Sequence, residues 1–418
     1  MSDSQLSGPK AAKRVTVTLA LAVVWGPGLL VMLADTDAGN VVTAAQSGAQ
    51  WGYRLVPLLL ALIPLLYMVQ ELTVRLGIFT GQGHGELIRD TFGRGWSWLA
   101  VAGLCIATIG SLVTEFTGVA GVGEIYGISR SVSLSIAALA LVAIVLTGSY
   151  RRVERVALVV GSFELAFFVV AWVAHPDPAV ILHDAIDLPF GNREFLYLAA
   201  ALIGAVFNPW MIFYQQSAIA DKRLAPEHYQ AARWDTAVGA IVTQLLTAAV
   251  LVAVAATLGA SGTAVRLNSV GDISASLAPL LGTAMAHFVF SVGVLGASLV
   301  AAIVSSLALA WGVGEVAGFH RSLENRPAQA PWFYLIYLVA VLGSAALVGL
   351  APDLIWLNVG AQVLNAFMLP LVIGFLIALA TRALPEPHRL KGAYLWILVA
   401  LATVVCGLGL LGGVAGLL

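Results

Sequence analysis

Residues 33–40 of this chain read LADTDAGN, which places two carboxylates, an amide and a glycine inside an otherwise apolar segment. Residues 204–210, GAVFNPW, interrupt a second apolar segment with an asparagine and a proline. Both segments are long enough to cross a bilayer, where irregular backbone is tolerated only if protein buries it or it lines a wet cavity. Paired interruptions at corresponding positions of two halves indicate the binding site of a transporter. Because both breaks offer oxygen ligands, we expect the cargo to be a cation.

The composition is that of a membrane protein. Of 418 residues, 60% are hydrophobic and 10% are charged, whereas a soluble chain carries about 25% charged residues. The formal net charge of −1 gives no reason to expect nucleic acid as a partner. Cys105 and Cys406 lie in apolar segments, which excludes a disulfide framework and a metal-type spacing. The basic residues near the N-terminus are followed by no small-residue cleavage site, so we predict no removable signal peptide.

About eleven segments are long and apolar enough to be transmembrane helices. They are predicted near residues 15–47 (broken), 54–76, 97–126, 131–149, 154–173, 196–220 (broken), 233–259, 282–318, 331–349, 353–381 and 392–417. Cytoplasmic connections should carry the excess of Lys and Arg. With a cytoplasmic N-terminus, the inner connections hold 17 of the 21 Lys and Arg residues, and the outer ones hold Arg54, Arg130, Arg193 and Arg266. The sequence therefore predicts eleven spans, with the C-terminus outside.

The two breaks fall in spans one and six, and this spacing predicts the architecture. Because each half has an odd number of helices, the halves must have opposite orientations. We therefore predict an all-α polytopic membrane protein of the LeuT/APC type, an inverted five-plus-five repeat with broken helices 1 and 6. Residues 1–14 would form a cytoplasmic tail, and residues 15–381 the ten-helix core, with repeats at about 15–173 and 196–381. Residues 392–418 would add helix 11.

The side chains at the breaks suggest how a cation could be held. An unwound helix exposes carbonyls, and a half-helix C-terminus adds a negative dipole end. Asp37 adds a charge that is expensive in the membrane without a partner, and a permeating cation is such a partner. Asn40 and Asn208 add amide oxygens. Gly39 and Pro209 favour irregular backbone. The alternative is that both breaks are ordinary kinks, with Asp37 only capping the second half-helix.

Several stretches resemble the signatures of the natural resistance-associated macrophage protein (NRAMP) metal transporters. They are residues 26–28 with 37–40 (GPG…DAGN, compared with GPG…DPGN), 75–81 (RLGIFTG, compared with RLGxxTG), 204–209 (GAVFNP, compared with GAxxMP) and 361–370 (AQVLNAFMLP, compared with SQVxLS…LP). The helix-one and helix-two motifs are specific, and the others would be weak alone. The resemblance implies a divalent metal transporter with no enzymatic activity and no resident cofactor, whose substrate is the metal ion itself.

The positions at which the sequence departs from the family pattern narrow the expected type of divalent metal transporter. The family's helix-one proline is Ala38, its helix-six methionine falls on Asn208, and its two helix-six histidines fall on Trp210 and Gln215. On helix three the family's Asp becomes Leu112 while Glu115 is retained, and helix nine has no arginine between residues 331 and 348. The missing residues are those linked to proton transfer in the family. The pattern resembles the NRAMP-related magnesium transporter branch.

Ligand chemistry leads to the same branch. A thioether favours transition metals, whereas amide and carboxylate oxygens suit Mg²⁺ and Mn²⁺. Mg²⁺ keeps several of its waters and therefore needs few protein ligands. We expect these ligands to be Asp37, Asn40, Asn208, the Ala205 carbonyl and Gln362. Since a divalent ion gains about 4.6 kcal/mol from 100 mV, uptake could be driven by membrane potential without proton coupling.

Two other functions remain open: a proton-coupled Mn²⁺/Fe²⁺ transporter of the same family, and an organic-solute (amino-acid) carrier on the same scaffold. Residues 81–85, GQGHG, follow no strand and precede no GK[ST], so we expect no nucleotide. The sequence contains no HExxH and no nucleophile elbow, and we expect no enzyme. We expect a monomer in the lipid bilayer of the plasma or inner membrane.

Other acidic residues are assigned secondary roles. We expect Asp35 to line the outer vestibule or to form a pair, because residues two apart do not share a helix face. Glu115 could belong to a polar network near the site or simply be structural. Glu71, Glu164 and Glu315 are interpreted as structural residues near helix ends. We interpret residues 175–187, which carry two histidines and three aspartates, as a solvated outer loop.

Overall fold

The structure is a computed structural model that describes residues 27–417, apart from residues 148, 260–264, 324 and 352. The predicted cytoplasmic tail, the start of span 1 and the first residue of the GPG motif lie outside the described residues. Within the described part of the chain, helices are the only regular elements.

Eleven spans are present in the described residues. Nine helices are long and apolar enough to cross a membrane, and the other two spans are the split span 1 and the shorter span 4. The bounds are Pro27–Asp35 with Ala38–Trp51 (span 1), Val56–Thr80 (2), Arg94–Ile125 (3), Arg130–Leu146 (4), Tyr150–Gly161 continued by Ser162–Leu165 and Ala166–Val173 (5), Arg193–Val206 with Pro209–Asp221 (6), Tyr229–Thr257 (7), Thr283–Ala317 (8), Pro331–Leu350 (9), Leu354–Arg382 (10) and Gly392–Leu417 (11). The predicted all-α fold is confirmed.

The connection between spans 5 and 6 differs from the solvated loop that we expected. Pro178–Ile186 is a helix, and the buried Asp184 accepts a hydrogen bond from the Tyr53 backbone N–H at 3.1 Å. Arg54 donates to the Asp187 carboxylate at 2.8 Å, and this bond lowers the pKa of Asp187 below its ordinary value. The aspartates thus fix this helix to the corner between spans 1 and 2.

Spans 1 and 6 lie in the interior of the bundle. Span 7 packs against both halves of span 1, span 3 runs along span 8, and the N-terminal half of span 6 packs against spans 10 and 11. Large side chains such as Trp210 and Trp311 are fully buried there. Leu139 and Trp396, by contrast, are 66% and 71% exposed. Exposed apolar side chains on the perimeter suit contact with lipid rather than water.

Three spans meet closely at Gln362 of span 10. A Cβ added to Gly39 would overlap the Gln362 amide nitrogen, and a Cβ on Gly204 would overlap the Gln362 carbonyl. Gly39 belongs to the first break, and Gly204 precedes the second. Because the neighbour of Gly204 is backbone, only glycine lets span 6 approach span 10 this closely, whereas at Gly39 the neighbour is the end of a side chain.

Candidate metal site

Both predicted breaks are present, and they have the same local geometry. Asp37 has φ −69° and ψ 171°, and Asn208 has φ −73° and ψ 127°. Each is the extended residue just before a half-helix, Ala38–Trp51 and Pro209–Asp221 respectively. Pro209 has no N–H to continue the helix that precedes it. Spans 1 and 6 are therefore interrupted at matching points.

Asp37 acts as a helix cap and still leaves one oxygen unused. Its Oδ1 accepts a hydrogen bond from the Asn40 backbone N–H at 2.6 Å. Its Oδ2 has no hydrogen-bond partner, and the residue is 0% exposed. Capping and cation binding, which the sequence left as alternatives, are thus compatible at this residue.

Two asparagines present amide oxygens in the same way. The Asn40 Nδ2 donates to the Asp35 carbonyl at 3.0 Å. The Asn365 Nδ2 of span 10 donates to the Asn208 Oδ1 at 2.6 Å and to the Gln362 Oε1 at 3.0 Å. The Oδ1 atoms of Asn40 and Asn365 have no partner. Because their nitrogens are fixed by these bonds, their oxygens remain available as acceptors.

The other predicted ligands bind one another. The Asn208 Nδ2 donates to the Ala205 carbonyl at 2.8 Å, so this carbonyl is not an unpaired one as we expected. The Gln362 Nε2 lies 3.5 Å from the Asp37 Oδ1. The structure therefore brings all five predicted residues together, but only Asp37 and Asn40 present oxygens without partners.

Glu115 of span 3 borders the same site. Its Oε2 accepts a hydrogen bond from the Ala38 backbone N–H at 3.1 Å, and its Oε1 accepts one from the Thr114 hydroxyl at 3.2 Å. Its carboxylate also interacts with that of Asp37. The polar network is thus the role that the structure gives Glu115.

The structure refines the expectations for two other acids. Asp35 is 0% exposed, so it does not line an open vestibule, and its Oδ2 lies 3.5 Å from the Thr243 hydroxyl, which corresponds to the alternative of a pair. Glu164 is not near a helix end but in the middle of span 5, and it is 0% exposed. The remaining two have structural partners: Glu71 pairs with Arg75 at 2.8 Å, and Glu315 accepts from the Ser217 hydroxyl at 2.6 Å.

The site has acceptors in excess and no compensating base. Among the described residues, no Lys, Arg or His forms an ion pair with Asp35, Asp37, Glu115 or Glu164. Buried oxygen atoms without donors are costly unless something positive meets them. The arrangement is suited to a cation that prefers oxygen ligands.

The sequence reasoning did not assign Asn365 or Thr243 to the site, and it interpreted Glu164 only as a structural residue. Asn365 lies three residues after Gln362 and therefore on the same helix face, which was a usable signal. Glu164 is a carboxylate inside an apolar span, and such residues are functional candidates by default. For Thr243, a common residue in an apolar span, the sequence offered no signal.

Comparisons with known proteins agree with this geometry. The protein-family model described as natural resistance-associated macrophage protein-like (Nramp) matches residues 28–415. A relative from Klebsiella pneumoniae (strain 342), named divalent metal cation transporter MntH, is 26% identical over 432 residues, covering 98% of both chains. A protein of the same name from Chromohalobacter salexigens is 28% identical over 303 residues, covering 68% of each chain.

Solved structures show the same fold at low sequence identity. The Eremococcus coleocola manganese transporter superimposes with a TM-score of 0.75 at 18% identity, covering 98% of this chain and 88% of that one. Mhp1, a nucleobase-cation-symport-1 family transporter, gives a TM-score of 0.60 at 14% identity, covering 94% and 90%. The fold is therefore that of the NRAMP and LeuT-type transporters. This integral, multi-pass membrane protein belongs to the natural resistance-associated macrophage protein-like family.

Proposed function

We propose that this protein is a divalent metal cation transporter that takes up Mg²⁺, and also Mn²⁺, by alternating access. The observation that carries the proposal is the set of buried oxygen atoms without donors on Asp37, Asn40 and Asn365. The family relationship and the names of the relatives support divalent cations as the class of cargo.

The chemistry of the site favours Mg²⁺ as the main cargo. All its ligands would be hard oxygens, and Asn208 provides an amide where the family resemblance places a thioether. Among the described residues, no three His, Cys, Asp or Glu side chains converge as a metal cage. A sparse site of this kind suits an ion that keeps several of its waters. Because every proposed ligand comes from one copy, the transport unit in this proposal is a single chain. The distribution of Lys and Arg supports a cytoplasmic N-terminus and an outer C-terminus.

A proton-coupled Mn²⁺ or Fe²⁺ transporter is the second candidate. The retained Glu115, whose carboxylate interacts with that of Asp37, is the observation that favours it. Transport with the membrane potential as the only driving force is our first choice, because Leu112, Trp210 and Gln215 replace the family's titratable residues and span 9 contains no arginine.

Uptake into proteoliposomes tests the proposal. Asp37→Ala removes the only charged first ligand and should reduce Mg²⁺ and Mn²⁺ uptake to the level of protein-free liposomes. Asp187→Ala, on the outer connection and exposed, is the matched control and should transport like the wild type. Wild-type uptake by Asp37→Ala would show that the cargo binds elsewhere. Amino-acid uptake in place of metal uptake would reject a metal cargo altogether.

A further inference from the structure

Glu164 is a buried carboxylate to which the site described above gives no role. It lies in the 3₁₀ turn Ser162–Leu165 that joins the two α-helical parts of span 5. It is 0% exposed, and neither of its carboxylate oxygens has a hydrogen-bond partner in the part of the chain that the structure describes. A carboxylate at membrane depth normally faces a partner or a pathway, and a 3₁₀ stretch within a helix often marks a functional position.

The packing places Glu164 beside the first break. A Cβ added to Gly161, one turn earlier, would lie 3.4 Å from the Leu33 Cβ of span 1. A Cβ added to Gly296 of span 8 would lie 3.7 Å from the Glu164 backbone nitrogen. Spans 1, 5 and 8 therefore meet beside Glu164, and its carboxylate interacts electrostatically with those of Asp37 and Asp35.

Asp35, in the same break, is also incompletely satisfied. Its Oδ1 has no partner, and its Oδ2 lies 3.5 Å from the Thr243 hydroxyl of span 7. That hydroxyl lies 2.7 Å from the Thr36 hydroxyl. Asp37, in contrast, contacts Gln362 of span 10 and lies beside Glu115 of span 3. Asp35 therefore contacts span 7, whereas Asp37 contacts span 10 and lies beside span 3.

One ion beside Asp37 would leave other buried oxygen atoms without a partner. Asp35, Asp37, Glu115 and Glu164 are all at most 1% exposed, and no base among the described residues pairs with them. The Oδ1 of Asp35 and both carboxylate oxygens of Glu164 have no hydrogen-bond partner among those residues. Buried oxygen atoms without donors are costly unless something positive meets them.

We propose that Asp35 and Glu164, with the Thr243 hydroxyl, form a second binding site for a divalent cation, on the side of the break that faces spans 5 and 7. This inference rests on the proposed function, since the second ion is of the same class as the cargo. Two carboxylates balance the charge of one divalent ion, and carboxylate and hydroxyl oxygens are the ligands that Mg²⁺ and Mn²⁺ prefer. The Asp35–Glu164 site is then a second position for the cargo beside the one at Asp37.

The number of bound ions tests this proposal. The full-length protein, purified in detergent, is titrated with Mn²⁺, and free Mn²⁺ is measured by electron paramagnetic resonance. The wild type should bind about two ions per chain and Glu164→Gln about one, because the amide removes the charge but keeps the size. Glu154→Gln is the matched control on the same span. Glu154 pairs with Lys222 outside the site, so the control should also bind about two.

A second variant allows the proposal to be tested even if Glu164→Gln does not fold. Thr243→Val preserves the shape of the side chain and both carboxylates, and it should weaken the second ion by roughly tenfold while leaving the first unchanged. One ion in the wild type, with no change in Glu164→Gln, would overturn the second site but leave the proposed function standing. Two ions in Glu164→Gln would also overturn it. A wild type that binds no Mn²⁺ would contradict the proposed function itself.

Discussion

At the scale of single residues, Asn208 is the residue whose side-chain chemistry we expect to influence metal selectivity most. Its amide nitrogen donates to the Ala205 carbonyl at 2.8 Å, and its oxygen accepts from Asn365 at 2.6 Å. A thioether at this position has no hydrogen to donate to the Ala205 carbonyl, and its sulfur is a weaker acceptor than the amide oxygen. The amide therefore fixes the break in span 6 to span 10.

Replacing this amide by a thioether should change the preference of the site only in part. Asn208→Met should tighten Cd²⁺ binding relative to Mg²⁺ by roughly tenfold, or about 1.4 kcal/mol. The shift should be incomplete, because Asp37 and Asn40 still present hard oxygens in a site suited to a hydrated ion. The measurement is the competition of Cd²⁺ against Mg²⁺ uptake, with wild type and variant side by side.

The control for this change is Asn208→Ser, which keeps an oxygen and adds no sulfur. It should weaken uptake without raising the preference for Cd²⁺. If the wild type already binds Cd²⁺ far more tightly than Mg²⁺, the amide at this position is not the determinant of selectivity.

Residue identities were predictable where a motif carried them. Asp37 and Asn40 were identified from the helix-one pattern and do present unpaired oxygens in the structure. Which amide atoms face the site was not predictable, because hydrogen bonds between distant spans decide it. The bond from Asn365 to Asn208 connects span 10 with span 6.

At the scale of elements, the short helix His84–Phe92 links span 2 to the inner half of span 6. The Nδ1 of the fully buried His84 lies 2.7 Å from the Gln216 side-chain oxygen, and its ring packs edge-on against Phe213 at 4.7 Å between centroids. Gln216 in turn donates to the Gln82 carbonyl at 3.1 Å. This helix therefore fixes the C-terminal half of span 6, Pro209–Asp221.

Acid should weaken this link. Burial lowers the pKa of His84 from 6.5 to about 4, so between these values the unfolded chain binds a proton that the folded chain does not. The stability contributed by the neutral ring is present above pH 6.5 and is lost as the pH falls towards 4, by about 1.4 kcal/mol per pH unit. His84→Gln should flatten this part of the profile, measured as the melting temperature in detergent from pH 7 to pH 4.

His183→Gln provides the comparison, because its side chain is 74% exposed on the outer connection. This variant should keep the slope of the wild type. The same slope in His84→Gln and wild type would show that another group causes the acid sensitivity.

The long elements followed from apolar length, whereas the short ones did not. A run of apolar residues can satisfy its backbone in the membrane only as a helix, so the long spans were predicted to within a few residues. The short helices His84–Phe92 and Pro178–Ile186 have about two and a half turns each, and packing rather than local pattern stabilises helices of this length. The 3₁₀ turn at Ser162–Leu165 also gave no signal in the sequence.

At the scale of the whole molecule, several titratable residues that the family resemblance links to proton transfer have no counterpart in this sequence. Span 9, Pro331–Leu350, contains no charged residue, and Leu112 occupies the position of a family carboxylate. Transport should therefore be electrogenic. Mg²⁺ uptake should rise with an inside-negative potassium diffusion potential, in line with about 4.6 kcal/mol per 100 mV for a divalent ion.

A pH-sensitive dye inside the same liposomes completes the measurement. The internal pH should not change when Mn²⁺ enters, apart from the drift seen in protein-free liposomes. Acidification that requires both metal and protein would contradict electrogenic transport without protons and would favour the second candidate function.

The number and orientation of the spans were predictable because they depend on a few features that can be read from the sequence. The distribution of Lys and Arg between alternate connections predicted eleven spans, and the spacing of the two breaks predicted the inverted halves. The close approach of spans 1, 6 and 10 at Gln362 was not predictable, since it depends on glycines whose neighbours are known only from the structure.

The position of the buried acidic residues along the chain has a consequence for membrane insertion during synthesis. All four acids around the breaks, Asp35, Asp37, Glu115 and Glu164, come from spans 1, 3 and 5, whereas spans 6, 7 and 10 contribute amides and a hydroxyl. A ribosome therefore delivers the acidic half to the translocon before its neutral partners exist, and an Asp at a helix centre raises the insertion free energy by about 2.5–3.5 kcal/mol. Glycosylation reporters should show less complete insertion for spans 1–5 alone than for spans 6–10 alone. Equal insertion of the two fragments would mean that the early spans find partners of their own during synthesis.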